Sequence, residues 1–277
     1  MFLSAASLVL AVCLSVFLLY PSSPAAAQEG IVVPVIMYHG FSEKESRINR
    51  YVIHPARLEE DILALKRMGC TAVTADELCR HFSEGYELPE KPVILSFDDG
   101  ALSNYEYAFP LLQKYGVKAV IAPIGKACEL AAGEKYKSVE WSQCTWEQLA
   151  EMEKSGLAEL AYHTYDLHSA TGDTIGAQAK NGEDGAQYAS RLGEDVEKFD
   201  ALMKKYTGKS AGTFVYPFGA TRGGSEELLR SLGFSCAFDC EEKVNVLQTE
   251  HDLFCLHRFL RPDDMSAEEF FAKLGLS

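Results

Sequence analysis

Short apolar runs alternate with helical patterns along this chain. The runs are Ile31–Tyr38, Thr71–Val73, Pro92–Phe97, Lys118–Pro123, Leu157–Tyr162, Thr213–Tyr216 and Cys236–Phe238. Short apolar runs bounded by turn residues read as buried strands. Between them, Arg57–Met68 sets Leu58, Ile62, Leu65 and Met68 on one helical face, and Gly69 ends the helix. Thr145-Trp146-Glu147-Gln148 has capping-box spacing, which starts a helix over Trp146–Lys154, with Gly156 as its stop. Glu194–Tyr206 and Ser225–Leu232 are two more helices. Strands alternating with helices predict an α/β fold with a parallel sheet and helices outside. About seven strands predict a closed or nearly closed (β/α) barrel, whose chemistry gathers in loops beyond the C-terminal strand ends.

The pattern breaks at the N-terminus. Phe2–Tyr20 is almost wholly apolar, no charge precedes Glu29, and Pro21 to Ala27 ends in Ala-Ala-Ala. This predicts a signal peptide over residues 1–27 cut after Ala27, with an uncleaved anchor as the rival. Residues 28–277 then form a single domain, exported to the extracellular space, cell surface or cell wall. Any membrane contact is expected only through that anchor, and a monomer is expected.

Composition narrows the partners. Lys plus Arg is 26 against 40 for Asp plus Glu, a net charge of −14. Duplex nucleic acid is a poor partner for such a chain, because its affinity rests on cationic side chains. Seven of the eight cysteines lie beyond Ala27, and no Cys-x-x-Cys occurs, which argues against a zinc ribbon. An odd number cannot all pair internally, and mostly buried free thiols are expected.

Polar residues cluster where the strands end. Asp98-Asp99-Gly100 follows Val93–Phe97. Asp-Gly is ordinary turn chemistry, but adjacent carboxylates at a strand end point different ways, so one can bind a metal while the other serves as a base. His163 and His168 follow Leu157–Tyr162. Their spacing puts them about 140° apart on a helix, so they converge only from a strand end and its loop. Tyr216-Pro217-Phe218-Gly219 closes another strand and offers a backbone N–H with an aromatic wall. His39 ends the first run. His54, His81 and His251 read as surface or packing residues.

Together these motifs resemble the polysaccharide deacetylases with a NodB homology domain, of the carbohydrate esterase family 4 type. Ser96-Phe97-Asp98-Asp99-Gly100 is similar to the family's Thr-Phe-Asp-Asp-Gly, His163–His168 to its second motif, and Phe214–Gly219 to its third. Pro34–His39 is similar to the lead-in of an exported bacterial branch. The likeness runs from about Val32 to Leu274, and the family's distorted (β/α) barrel agrees with the architecture above. It implies Asp99, His163 and His168 as ligands of a divalent metal (Zn2+ foremost, with Co2+ and Ni2+ also suited) and Asp98 as general base. It implies His39 as general acid with His257 in reserve, the Phe218 N–H at the oxyanion, and Tyr216, Pro217 and Phe218 at the sugar.

The implied reaction is removal of N-acetyl groups from a glycan containing N-acetylglucosamine by a metal-activated water. Peptidoglycan, chitin-like oligomers and poly-N-acetylglucosamine are all candidates. Hydrolysis of O-acetyl esters on a polysaccharide, or a glycan-binding module without catalysis, are the alternatives. Three departures from the family pattern stand out. Ser96 replaces Thr, no Arg precedes Phe214 to orient the base, and Tyr162 stands where a small residue is usual and is expected to crowd His163.

Overall fold

The structure is a computed structural model that describes residues 30–172 and 174–276. The expected leader and its cleavage point after Ala27 lie outside them. In chain order the strands are β1 (Ile31–Val33), β2 (Val35–Tyr38), β3 (Gly40–Phe41), β4 (Val52–Ile53), β5 (Thr71–Ala72), β6 (Pro92–Asp99), β7 (Ala119–Pro123), β8 (Ala158–Leu160), β9 (Thr213–Val215), β10 (Cys236–Phe238), β11 (Asn245–Leu247) and β12 (Phe259–Leu260). The helices are α1 (Pro55–Arg67), α2 (Ala75–Glu84), α3 (Phe109–Tyr115), α4 (Gly125–Ala131), α5 (Trp146–Lys154), α6 (Gly185–Thr207), α7 (Glu226–Ser231) and α8 (Ala267–Lys273).

The strands close on themselves. β12, β2, β6, β7 and β8 pair in that order, all parallel. A single bridge, Tyr162 to Phe214, carries the ring to β9, which pairs with β10. A second bridge, Phe238 to Leu256, returns it to the segment leading into β12. The result is the expected parallel α/β barrel of seven ring strands, distorted where two seams hang on isolated bridges.

The membership differs from the expected list at two places. Pro34 has no N–H and divides the first apolar run. The part before it, β1, leaves the ring to pair antiparallel with β11. β5 pairs only with the first residues of β6, off the ring. Its place is taken by β12, whose two apolar residues are flanked by Arg258 and Arg261 and so carry no apolar run.

Alternation along β6 sorts its side chains. Val93, Leu95 and Phe97 pack outward with Ile62, Trp146 and Phe199 of the helical layer, while Ile94 joins an inner cluster with Val35, Val120, Val215 and Phe238. Ser96 and Asp98 continue that inner face upward, so the base candidate enters the barrel mouth.

α1 is capped by His54, whose ring accepts the Ala56 N–H. α5 begins on the expected Thr145–Gln148 capping box. α6 starts well before the expected Glu194, because Asp184 and Gln187 form a capping box and Tyr188 and Leu192 extend its buried stripe. Gly185 and Gly193, poor helix formers, mask that first stretch in the sequence. All seven cysteines of the described residues are free, four of them buried.

Candidate metal centre and active site

Among the described residues the backbone turns left-handed at three non-glycine positions, Asp99 (φ 69°), Thr164 (φ 69°) and Phe218 (φ 59°), and all three belong to the predicted motifs. Such conformations are uncommon outside glycine, most of all for a β-branched residue like threonine, and tend to mark functional sites. At β6 the strain turns Asp99 out of strand alternation, so neighbouring carboxylates serve different places. Gly100 follows with φ 71°, and a Cβ there would stand 2.7 Å from Pro123 Cβ. The Asp-Asp-Gly order is thus set by backbone geometry as well as by the carboxylates.

Asp99 Oδ1 stands 3.6 Å from His163 Nε2 and 3.4 Å from His168 Nε2. It is buried and has no hydrogen-bond partner. His163 Nδ1 donates to the Val215 carbonyl at 2.8 Å, which leaves its Nε2 as a bare acceptor. Acceptors that converge without a donor between them are costly when buried, and a cation relieves that cost. One carboxylate and two imidazoles form a donor set suited to zinc, cobalt or nickel. The residues present therefore fit a divalent ion.

The titration tendencies agree. Burial lowers His163 to about 4, despite the nearby Asp98 charge. Burial also lowers His168. Both imidazoles are neutral at pH 7, the form that binds metal. Burial raises Asp99 to about 6, with His39 opposing and Asp98 adding to the rise. Burial pushes Asp98 up as well, but the Arg258 guanidinium together with His163 and His39 outweighs it and holds that carboxyl well below its usual range. The two adjacent carboxyls are thus driven apart in acidity.

Arg258 makes the contact to Asp98 that no arginine before Phe214 provides. Its Nη1 donates to Asp98 Oδ1 at 2.7 Å and to Ser96 Oγ at 2.9 Å, and its Nε donates to the Asp239 carbonyl at 2.7 Å. Among the described residues, no donor reaches the other Asp98 oxygen. Sequence reasoning missed Arg258, although an arginine inside the short run Leu256–Leu260 was a signal. It also missed Asp195. From the buried stripe of α6, that carboxylate accepts from the Tyr165 N–H (2.6 Å), the Asp166 N–H (2.8 Å) and the Tyr162 hydroxyl (2.6 Å). It buckles the loop that carries both histidines. An aspartate among Leu192, Phe199 and Leu202 was the legible sign.

Tyr162 does not crowd His163. Consecutive residues point to opposite faces, and Tyr162 is directed into the outer layer against Phe199, Phe214 and Phe234.

His39, Asp98, Asp99, His163, His168 and Phe218 line one cavity of about 540 Å3, together with Arg50, Tyr51 and Glu242. The His39 ring packs tilted against Tyr51 at 4.9 Å, and its Nδ1 is buried without a partner. Phe218 is half exposed, and no carbonyl of the described chain accepts its N–H. Tyr216 and Pro217 are buried and do not line this cavity. Tyr216 turns inward onto Phe214 at 4.5 Å, and its hydroxyl occupies the space a side chain at Gly224 would need. His257 is also off the cavity wall, paired through Nδ1 with Asp239 at 2.9 Å. His81 bonds the Tyr86 carbonyl and His251 is exposed beside Glu226.

Fold and site together define a parallel (β/α) barrel with an Asp-His-His centre at the C-terminal ends of its strands. A family model described as polysaccharide deacetylase matches residues 85–237. The chain belongs to the polysaccharide deacetylase family. It is 28% identical over 254 residues to the poly-beta-1,6-N-acetyl-D-glucosamine N-deacetylase of Escherichia coli K12, covering 85% of this chain and 37% of that protein. It is 26% identical over 228 residues to the Staphylococcus aureus N315 protein of the same name, covering 81% of this chain and 72% of that one. The solved structure of IcaB from Ammonifex degensii superposes with a TM-score of 0.70 at 30% identity, covering 89% of this chain and 97% of that one. This chain therefore spans little more than a third of the E. coli relative.

Proposed function

We propose that this protein is a metal-dependent N-deacetylase of a glycan built from N-acetylglucosamine, with poly-β-1,6-N-acetylglucosamine as the first substrate to test. The observation that carries the reading is the convergence of the Asp99-His163-His168 trio, the Arg258-held Asp98 and His39 on one cavity. The names of the E. coli and S. aureus relatives support the choice of substrate.

Asp99, His163 and His168 would hold a divalent ion, which when bound supplies Lewis acidity and lowers the pKa of water. Asp98 stays ionised near neutrality, with one oxygen on Arg258 and the other free to take the proton of the attacking water. The low proton affinity that Arg258 imposes makes Asp98 a modest base. In return its position is fixed, which is worth several kcal/mol in a well-aligned reaction, roughly 7–11 at the limit. The unpaired Phe218 N–H faces the charge that develops on the acetyl oxygen, and loss of one such donor typically costs about 2.7–4 kcal/mol. His39 protonates the leaving amine, a task suited to an imidazole.

The test strips the purified protein with chelator, restores zinc, cobalt or nickel, and follows acetate release from β-1,6-linked and β-1,4-linked N-acetylglucosamine oligomers. Activity that returns with metal and favours the β-1,6 linkage is expected, and Asp99→Ala or His163→Ala abolishes both metal uptake at the trio and acetate release. Full activity in the chelated protein, or in Asp99→Ala, overturns the reading.

A further inference from the structure

A second set of metal-type side chains converges outside the catalytic cavity. Asp239 follows β10, and Cys255 and His257 precede β12. Their carboxylate, thiol and imidazole ligand atoms all lie within 4.8 Å of one another. His257 Nδ1 is 2.9 Å from Asp239 Oδ2, and Cys255 Sγ is 3.3 Å from the same oxygen. Tetrahedral zinc, with bonds of about 2.0–2.3 Å, sets its ligand atoms roughly 3.3–3.6 Å apart. The catalytic trio has edges of 3.4 and 3.6 Å. The two edges that meet at Asp239 thus need only a few tenths of an ångström of opening to reach that spacing, and the third lies within 4.8 Å.

Its chemistry is different from that of the first centre. The catalytic trio has no sulfur, whereas this set joins a thiol to an imidazole and a carboxylate, which selects zinc-like ions over magnesium or calcium. Its place is also different. Along the extended run into β12, Arg258 points inward to Asp98 and its neighbour His257 points outward. None of the three residues lines the catalytic cavity. Cys255 is exposed, so an ion has a route in, and Glu241 Oε2, 3.9 Å from His257 Nδ1, is an exposed fourth oxygen.

We propose that Asp239, Cys255 and His257 bind a second, thiophilic divalent cation of the zinc type, which staples the barrel seam between β10 and β12. That seam has one bridge, Phe238 to Leu256, and the three ligands flank it on both sides. Arg258, which orients Asp98, leaves the same seam and holds the Asp239 carbonyl through Nε. On binding, the Cys255 thiol gives its proton to solvent. The His257 Nδ1 proton, which faces Asp239 in the structure, moves to Nε2, so that Nδ1 is left bare for the cation. Thiolate and carboxylate then balance the charge of the cation, and nothing is oxidised or reduced. The inference does not depend on the deacetylase reading, since either centre can be present without the other.

Cobalt titration of the full chain, stripped with chelator, separates the two centres. Wild type should take up a second equivalent of Co2+ and develop the near-ultraviolet charge-transfer band of a thiolate–cobalt bond, which the catalytic trio cannot give. Cys255→Ser and His257→Ala should each lose that band and one equivalent, while keeping the visible ligand-field bands of the trio. Asp99→Ala should do the converse. In the Asp99→Ala protein, zinc should still raise the melting temperature, and adding Cys255→Ser should remove the rise. A wild-type titration without the thiolate band overturns the proposal, as does a band that survives Cys255→Ser.

Discussion

Two arginines three positions apart, Arg258 and Arg261, are both fully buried, and each holds a buried aspartate from a distant part of the chain. They are put to opposite uses. Arg261 grips Asp61 with two parallel bonds, Nε to Oδ2 at 2.8 Å and Nη2 to Oδ1 at 2.9 Å. Its Nη1 donates to the carbonyls of Pro262 and Met265, and the Tyr38 hydroxyl donates to Asp61 at 2.9 Å. Both carboxylate oxygens are engaged, so this pair can only hold α1 against the strand end. Arg258 touches Asp98 through a single oxygen and spends its other donors on Ser96, Cys240 and the Asp239 carbonyl. One oxygen of Asp98 is left for the cavity. A buried ion pair thus becomes a candidate catalytic element when it is left incomplete, and burial or charge alone does not distinguish the two.

The largest effect should come from neutralising each aspartate. Asp98→Asn and Asp61→Asn each leave a buried arginine without its counter-charge, and removal of one partner of such a pair costs about 3–5 kcal/mol. Denaturant unfolding should show comparable losses for both. Only Asp98→Asn should lose turnover in the fraction that remains folded, by about 10²–10⁴-fold, the usual worth of a positioned base. Equal turnover losses in the two variants would end the distinction between them.

A smaller effect should follow from exchanging the arginines for lysine, which keeps the charge and removes the planar fork. Arg258→Lys should lower kcat by about 10–100-fold with little change in KM, because the base is still present but less well held. Asp98 is held below its usual range chiefly by the Arg258 charge against the opposing effect of burial. A looser cation lets its pKa rise, so the acid limb of the pH–rate profile should move to higher pH. Arg261→Lys should cost stability and leave both kcat and the acid limb in place. A shifted limb in Arg261→Lys, or none in Arg258→Lys, would count against the assignment of roles.

The contrast also shows what the sequence could reveal. The clustering of Asp98, Asp99, His163 and His168 was legible because each sits where an apolar run stops, and strand ends in a parallel barrel are where side chains meet. The helices with clean apolar stripes and caps, α1 and α5, were legible for the same local reasons. Arg258 and Asp195 were not, because their partners lie 160 and 30 positions or so away in the chain, and no local pattern encodes a long-range ion pair or loop clamp. β12 escaped because two arginines flank its two apolar residues. Tyr216 shows the reverse. A motif places an aromatic residue near the site, and packing against Phe214 then turns its ring inward.

A third carboxyl, this one partly buried, gives the smallest effect and the cleanest separation of stability from chemistry. Glu159 lies on β8 at the barrel end opposite the cavity, accepting from Thr213 Oγ1 at 2.6 Å and from the Asp76 N–H at 2.9 Å. Burial raises its pKa to about 7 against these two bonds, which favour the charged form. A carboxyl whose folded pKa is raised above its unfolded value of about 4.3 is favourable when neutral. Its contribution is fully present below that unfolded value and is lost as pH rises through about 7. Glu159→Gln is neutral at every pH and keeps an acceptor for Thr213. The variant should therefore match wild type near pH 4 and exceed it at pH 8 by on the order of 1–2 kcal/mol, the full shift being discounted for partial exposure. Acetate release should not change, because both oxygens of Glu159 are engaged and neither meets the cavity. Parallel stability curves for the two proteins from pH 4 to 8 would show that this carboxyl is already ionised and solvated. The saturated pairs of the fold would then owe their silence to water rather than to completed bonds.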